Sequence, residues 1–282
     1  MAEAVFSASR FRCPGPDKAN GIVMETKITT SDFKELYGKE KLRNDKLAEE
    51  LEVKVKQLTE SSEKLDHALT GIKLAYIETI HRFAAMAESK DEHTGAHIKR
   101  LGLYSRELAQ EIGMEEEFLH GIYYAAPMHD IGKMGIPDAV LCKQGPLTPQ
   151  EFDIMKTHTT IGAEILKNST SSFLIMAEEI ALSHHERWDG LGYPQGLKES
   201  AIPIAARIVN LADQYDALTS RRPYKNAMNH PKVFKILTAG DGRSQPSHFD
   251  PQVLEGFKRM HKRFEEIYES YADYGDAKAI DF

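Results

Sequence analysis

Histidine and aspartate residues with ligand-like spacing fill roughly the middle third of the chain, where seven of the twelve histidines lie. His93 and His97 are four residues apart, which places both rings on one face of a helix. His129 and Asp130 are adjacent, and Lys133 follows within one helical turn. Imidazole and carboxylate groups bind metals, and a lysine beside them can hold a phosphate oxygen. Taken alone, His129 could instead be a core histidine and Asp130 a helix cap.

Further ligand types occur on other predicted helices. His158 interrupts an apolar face, and Asp213 stands among apolar neighbours, where an unpaired carboxylate is costly to bury. For His158 alone, a buried neutral histidine is the alternative. His184 and His185 are adjacent, and neighbouring residues on a helix point about 100° apart. We therefore expect their rings to serve two different ions of one cluster.

The donor set predicts the metals and their chemistry. Nitrogen and oxygen ligands without thiolates favour iron or manganese, with nickel, cobalt or zinc allowed by ligand chemistry. Because the donors are too many for one ion, we expect two divalent ions. Two ions about 3.5 to 4 Å apart, which share a carboxylate and a water, can hydrolyse a phosphodiester through a bridging hydroxide.

The elements that must position these residues are helices. Thr148 and Glu151 form a capping box at the start of a helix predicted over residues 147–166. No apolar and polar alternation is long enough to predict a strand. The sequence therefore predicts an all-α domain over residues 72–282.

A heptad pattern precedes that domain. It predicts a coiled-coil or linker helix over residues 46–80, paired with a second copy as a parallel homodimer. One amphipathic helix packed on its own domain is the alternative. Residues 1–45 are interpreted as a tail or the remnant of an upstream element. The seam positions are Leu51, Val55, Leu58, Ser62, Leu65, Leu69, Ile72, Tyr76, Thr79 and Phe83.

Composition excludes several classes of protein. A formal net charge of -7 argues against binding a nucleic-acid polymer or an anionic membrane surface. The two cysteines, Cys13 and Cys142, are too few and too far apart for a disulfide framework or a thiolate zinc site. Neither a signal peptide nor an apolar run of membrane-spanning length is visible. We expect a soluble protein of the reducing cytoplasm.

Five ordered motifs together resemble the HD-GYP family, a branch of the HD phosphohydrolases. The motifs are HDIGK, KTHTTIGAEIL, HHERWDGLGYPQGL, IPIAARIVNLADQYDALTSRRPYK and HFDP. The resemblance runs from about Tyr76 to the C-terminus. It implies an HD-type helical bundle that hydrolyses the bacterial second messenger cyclic di-GMP to pGpG, GMP or both, in signal transduction.

The resemblance also implies roles for individual residues. Asp130 would bridge the two ions, and Lys133 would contact the scissile phosphate and stabilise its developing charge. Arg222 and Lys225 match basic positions that bind the ligand's phosphates, although a solvated charge run is the alternative. The implied metal ligands are His97, His129, Asp130, His158, His184, His185 and Asp213.

One position departs from the family pattern, and one loop has two readings. Many relatives carry an aromatic residue where this chain has His93, and those with a third metal carry glutamate. His93 is therefore either a ligand of a third ion or a hydrogen-bonded filler. Tyr193 either packs to hold its loop or touches a base or phosphate, and packing is the favoured reading. Gly190, Gly192 and Pro194 would shape the same loop.

Several functions stay open at this point. Hydrolysis of 3′3′-cyclic GMP-AMP is an alternative within the same class, because the sequence does not separate guanine from adenine recognition. A module that binds a cyclic dinucleotide and signals through the coil without turnover is a second alternative. Hydrolysis of ordinary nucleotides is a third. A regulatory protein partner would fit a coil that precedes a catalytic domain.

Overall fold

The computed structural model describes residues 29–89, 95–220 and 227–271. Within these ranges the chain is helical and contains no strand, which confirms the all-α fold class. Short 3-10 turns occur at Ala126–Met128, Ile131–Gly135, Glu199–Ala201 and Pro246–His248. The α-helices are α1 (Thr30–Ser89), α2 (Gly95–Glu111), α3 (Glu116–Ala125), α4 (Asp138–Leu141), α5 (Pro149–Lys156), α6 (His158–Leu166), α7 (Ser172–Ser183), α8 (Ile204–Thr219), α9 (His230–Ala239) and α10 (Pro251–Ser270).

Helix α1 confirms the predicted long N-terminal helix and begins well before residue 46. Its start is capped, because Thr29 Oγ1 accepts the main-chain N–H of Asp32 at 3.2 Å and Asp32 Oδ2 accepts that of Thr29 at 2.9 Å. Every described residue before Ile77 is exposed, including the heptad seam from Leu51 to Tyr76. Pairing of this helix with a second copy stays a prediction.

The described residues divide into two units, of which the first ends at Ala68 and the second begins at Leu69. In the second unit, helix α2 buries an apolar face that includes Leu101, Tyr104 and Leu108, at the three- to four-residue spacing of a helix. The Tyr104 ring stacks on Phe264 of α10 at 4.5 Å and meets Tyr215 of α8 edge-on at 5.4 Å. This packing fixes α2, α8 and α10 against one another. None of the described helices combines the length and apolarity needed to cross a bilayer.

The helix predicted over residues 147–166 is two helices, α5 and α6, with a break at Thr157. The predicted capping box is present, because Thr148 and Glu151 exchange hydrogen bonds of 3.3 and 2.7 Å. At the break, the Thr157 hydroxyl and main-chain N–H both donate to the carbonyl of Ile154, at 2.6 and 3.0 Å. These bonds replace the regular helical pattern and make His158 the first residue of α6.

A close backbone contact joins α6 to the turn Ile131–Gly135. A Cβ atom on Gly132 would lie 1.9 Å from the main-chain oxygen of His158 and 2.5 Å from the nitrogen of Gly162. Only glycine allows this approach. The contact brings the segment that carries Asp130 and Lys133 directly against the start of α6.

Candidate metal centre

Two groups of potential metal ligands lie in the second unit. In each group, one ligand atom from every residue lies within 4.8 Å of the others. The members come from α2, the segment before the turn Ile131–Gly135, α6, the end of α7 and α8. The first group is Asp130, His158, His184 and His185, and the second is His97, His129 and Asp213. The structure thus brings together all seven residues that the family resemblance implies as ligands.

Asp130 spans the two groups. Its Oδ1 atom lies 3.1 Å from Nε2 of His158 and 3.6 Å from Nε2 of His184. Its Oδ2 atom lies 3.0 Å from Nε2 of His129, in the second group. One carboxylate oxygen therefore faces each group, which is the arrangement that a bridging ligand needs.

The ligand atoms of the second group lie farther apart than those of the first group. Oδ1 of Asp213 lies 3.8 Å from Nε2 of His97 and 3.9 Å from Nε2 of His129. These distances exceed a hydrogen bond. Nitrogen and oxygen ligands bind zinc at about 2.0 to 2.2 Å, so atoms at these separations can reach a common ion.

Main-chain carbonyls orient three of the histidines. In each ring, Nδ1 lies within hydrogen-bond distance of a carbonyl three or four residues earlier, at 3.2 Å for His129, 2.7 Å for His158 and 3.0 Å for His184. A neutral ring that donates through Nδ1 presents the lone pair of Nε2. Such outer hydrogen bonds are the usual way in which metal-binding histidines are held.

His97 is oriented by a carboxylate that sequence reasoning missed. Its Nδ1 donates to Oδ2 of Asp216 at 2.8 Å, and Arg100 binds the same carboxylate with bonds of 2.7 and 2.9 Å. Burial alone would raise the pKa of Asp216, but the bonds and charge of Arg100, with a smaller contribution from His97, lower it below the usual range. The available signal was spacing, since Arg100 and Asp216 each lie three residues after a predicted ligand.

The ionisation states suit a metal. Burial lowers the pKa of His184 and lowers that of His185 further, so both rings are neutral at pH 7. Burial would raise the pKa of Asp130, yet the charges of Lys133 and His129 hold it well below the usual range. Neutral imidazole and ionised carboxylate are the forms that bind metal ions.

Three hydrogen-bond acceptor atoms of the first ligand group lie close together, and their spacing tests whether a metal ion fits between them. Oδ1 of Asp130 is buried, and no donor among the described residues meets it with hydrogen-bond geometry. It faces Nε2 of His158 at 3.1 Å, and that atom faces Nε2 of His184 at 3.4 Å. When these rings donate through Nδ1, all three atoms present lone pairs to one another. Divalent cations between them would replace this repulsion with attraction, so the residues fit the predicted metals.

Lys133 lies beside this centre. Its ammonium is 2.8 Å from Oδ2 of Asp130, and both side chains are buried. Three other predicted site residues, His93, Arg222 and Lys225, lie outside the described residues.

The positions of His184 and His185 bear on the expectation that each serves a different ion. Both belong to the same ligand group, and their ring centroids are 4.1 Å apart. The expectation assumed helical geometry through both residues. Helix α7 ends at Ser183, and His184 caps it with a φ of −66° and a ψ of −15°, so the backbone alone does not decide which ion each ring serves, and the expectation stays a prediction.

The loop after these histidines folds back on them. The main-chain N–H of Tyr193 donates to the carbonyl of His185 at 3.2 Å, and the two rings stack at 4.7 Å. Gly190 has a φ of +80°, and a Cβ on Gly192 would lie 2.4 Å from the nitrogen of Arg187. Pro194 follows through a cis peptide bond. This geometry agrees with the favoured reading of Tyr193 as a packing residue.

Glu186 ties the far end of the same loop. This buried carboxylate accepts the main-chain N–H groups of Gln195 at 2.7 Å and Leu197 at 3.0 Å. The side-chain amide of Asn210, on α8, donates to the carbonyl of His184 at 2.7 Å. These hydrogen bonds connect the loop to the segment that carries His184 and connect that segment to α8.

Known proteins resemble the part of the chain that contains this site. The family model described as HD domain matches residues 82–253. A cyclic di-GMP phosphodiesterase of Thermotoga maritima is 46% identical over 196 residues, which cover 70% of this chain and 52% of the relative. A cyclic di-GMP phosphodiesterase of Vibrio cholerae is 42% identical over 224 residues, 75% of this chain and 45% of the relative.

A third relative has a different named substrate. The 3′3′-cGAMP-specific phosphodiesterase 2 of Vibrio cholerae is 41% identical over 178 residues, which cover 63% of this chain and 33% of the relative. The chain spans about half the length, or less, of these curated relatives. The family match extends over more than half of this chain and includes all seven ligand positions. The chain therefore belongs to the HD domain family and, within it, to the HD-GYP branch.

Proposed function

We propose that this chain is a metal-dependent phosphodiesterase that hydrolyses a cyclic dinucleotide. The observation that carries the proposal is the position of Asp130, whose two oxygens face two adjacent groups of metal ligands. Two ions that share a carboxylate form a common centre for phosphodiester hydrolysis. Membership of the HD domain family and the names of its relatives support the same reaction class.

The metals would be iron or manganese, in keeping with nitrogen and oxygen donors. Divalent ions held here would supply Lewis acidity towards the phosphate and a deprotonated water at neutral pH. The chain's own residues hold and orient the substrate. Lys133 would donate to an oxygen of the scissile phosphate and stabilise the charge that develops there. Arg222 and Lys225 would bind the phosphates, through a guanidinium fork and a point charge respectively.

The proposed substrate is cyclic di-GMP, and the proposed products are pGpG, GMP or both. Relatives named as cyclic di-GMP phosphodiesterases at 46% and 42% identity support this choice. The second candidate is 3′3′-cyclic GMP-AMP, which is supported by the Vibrio cholerae relative at 41% identity.

Metal analysis followed by turnover tests the proposal. Protein purified without chelator is analysed for metals, loaded with Fe(II) or Mn(II), and incubated separately with cyclic di-GMP and 3′3′-cyclic GMP-AMP. We expect two ions per chain and conversion of cyclic di-GMP to a linear product. Faster conversion of cyclic GMP-AMP would favour the second candidate. A third ion that is lost in His93→Ala would assign His93 as a ligand.

The same experiment separates the enzyme from a signalling module. Failure of the fully metallated protein to convert either dinucleotide would contradict the enzyme proposal. Tight binding of cyclic di-GMP without conversion would then favour a module that reports the dinucleotide to a protein partner.

We also propose that the chain forms a parallel homodimer through α1. The seam side chains are exposed along the helix, with Leu58 at 73% and Leu65 at 61% of their full accessibility. Exposed leucines at heptad spacing are stabilised when a second helix covers them.

A further inference from the structure

Arg100 and Asp216 form a buried, bidentate ion pair between α2 and α8. Nε of Arg100 donates to Oδ1 of Asp216 at 2.7 Å, and Nη2 donates to Oδ2 at 2.9 Å. Each side chain is 1% exposed. A fork of this kind fixes the plane of the carboxylate as well as its charge.

The same carboxylate also holds His97. Oδ2 of Asp216 accepts the N–H of His97 Nδ1 at 2.8 Å, which directs Nε2 towards Asp213 at 3.8 Å. The other three oriented histidines of the centre use main-chain carbonyls instead. A carboxylate partner fixes the tautomer and makes the imidazole a stronger ligand than a carbonyl does.

Further bonds fix this ion pair at its edges. Nη2 of Arg100 donates to the hydroxyl of Ser220 at 3.0 Å, and that hydroxyl lies 3.2 Å from Oδ2 of Asp216. Nη1 donates to the carbonyl of Tyr271, just after α10, at 2.9 Å. Residues on α2, on α8 and just after α10 therefore hold the ion pair in place behind His97.

We propose that Asp216 is a positioning residue for the ion of the second ligand group, and that Arg100 holds Asp216 in the orientation that this role requires. Asp216 acts through His97 and does not itself contact the ion or the substrate. The inference rests on the proposed function, because it assigns a role within the two-metal centre. Asp216 forms no hydrogen bond with a member of the first ligand group among the described residues, so its replacement should weaken the ion of the second group far more than the ion of the first.

The test is metal binding by Asp216→Asn. Metal-free wild type and variant are titrated with Mn(II), and bound ions are counted and followed by electron paramagnetic resonance. Wild type should bind two ions with the signature of a coupled pair. In the variant, one ion should keep its affinity, the other should bind about 10- to 100-fold more weakly, and an uncoupled single-ion spectrum should replace the coupled one.

A matched control is Asp250→Asn. Asp250 is 4% exposed and pairs with Arg207 at 2.5 Å, and among the described residues it has no hydrogen bond or ion pair with a candidate ligand. Its variant removes a comparable buried ion pair and should still bind two ions as a coupled pair. Arg100→Lys provides a second test if Asp216→Asn folds poorly, because it keeps the positive charge while removing the fork. It should weaken the same single ion several-fold.

The outcomes separate this inference from the proposed function. The inference is wrong if folded Asp216→Asn, or in its place Arg100→Lys, binds both ions with wild-type affinity. Equal weakening of both ions would also overturn it, because that result indicates general destabilisation. Wild type that binds only one ion, or none, would overturn the two-metal function itself and the inference with it.

Discussion

The ammonium of Lys133 lies 2.8 Å from Oδ2 of Asp130, in a buried ion pair between residues three positions apart. Asp130 is the carboxylate that faces both ligand groups. A cation beside it has lost most of its water, so its interaction with a phosphate oxygen would be stronger than at the surface. The pair therefore places the Lys133 ammonium beside the carboxylate at which the proposed metals and substrate would meet.

Lys133→Met should separate catalysis from metal binding. The variant removes the charge and keeps much of the side-chain volume, so all seven ligands stay in place. We expect it to bind two ions and to lose about 10²- to 10³-fold in kcat, the usual effect of removing one donor to a developing anion. Steady-state kinetics with cyclic di-GMP, beside metal analysis, provides the measurement. Loss of metal in this variant would contradict the proposed role.

Asp130→Ala should lose both metal and activity. Its two oxygens lie within 3.6 Å of ligand nitrogens from both groups, so no other described residue can replace it. We expect fewer than one tightly bound ion per chain and no measurable turnover. Full metal content in this variant would show that the bridging assignment is wrong.

Gly192→Ala should disrupt the loop behind His185. The added Cβ would lie 2.4 Å from the nitrogen of Arg187 and 2.6 Å from the oxygen of His185, so the backbone must move. We expect a loss of about 1 to 3 kcal/mol in the free energy of unfolding and lower activity, measured by urea denaturation and kinetics. The control is Gly71→Ala on α1, where a Cβ meets nothing within 4 Å. It should keep wild-type activity.

Tyr193→Phe tests whether the signature tyrosine packs or reacts. The variant keeps the ring that stacks on His185 at 4.7 Å and removes only the hydroxyl. We expect its kcat and KM to stay within about twofold of wild type, whereas the loss of a catalytic proton donor costs about 10²-fold or more. A loss of that size would contradict the packing role.

The metal-free protein should lose stability as the pH falls. His184 and His185 have pKa values below the usual 6.5 because of burial, so the unfolded chain takes up protons before the folded one. The free energy of unfolding should therefore decrease as the pH falls through about 6.5. Asp130 and Asp216, with lowered pKa values, should add a further loss as the pH approaches the usual value of 3.8.

Urea denaturation of the metal-free protein at about pH 7.5 and about pH 5.5 provides the measurement. His185→Gln removes one of the titrating groups and should reduce the difference between the two conditions. An unfolding free energy that is the same at both pH values would contradict the prediction.

Much of the site could be predicted from residue types and spacing. The proximity of residues that are close in sequence, such as Asp130 and Lys133, could be predicted from the geometry of a single turn. The long N-terminal helix and the capping box at Thr148 were likewise visible, because they depend on interactions within a few residues. Helix α1 nevertheless begins earlier than predicted, at Thr30, directly after the capping residue Thr29.

Tertiary structure decided which of the donor side chains lie close together. The sequence did not show that the rings of His184 and His185 would lie 4.1 Å apart within one ligand group. The break at Thr157, which makes His158 the first residue of α6, also depends on local bonds that a periodic pattern does not reveal.

The order of ligand motifs along the chain determined the family and the kind of donor atoms that the candidate site contains. Residue types fix donor chemistry wherever the chain places them. Only the packing of α2 against α8 decided that Asp216, 119 residues after His97, would orient that histidine and that Arg100 would hold Asp216 in turn. Contacts between residues so far apart depend on how helices pack, and no local spacing rule carries that information.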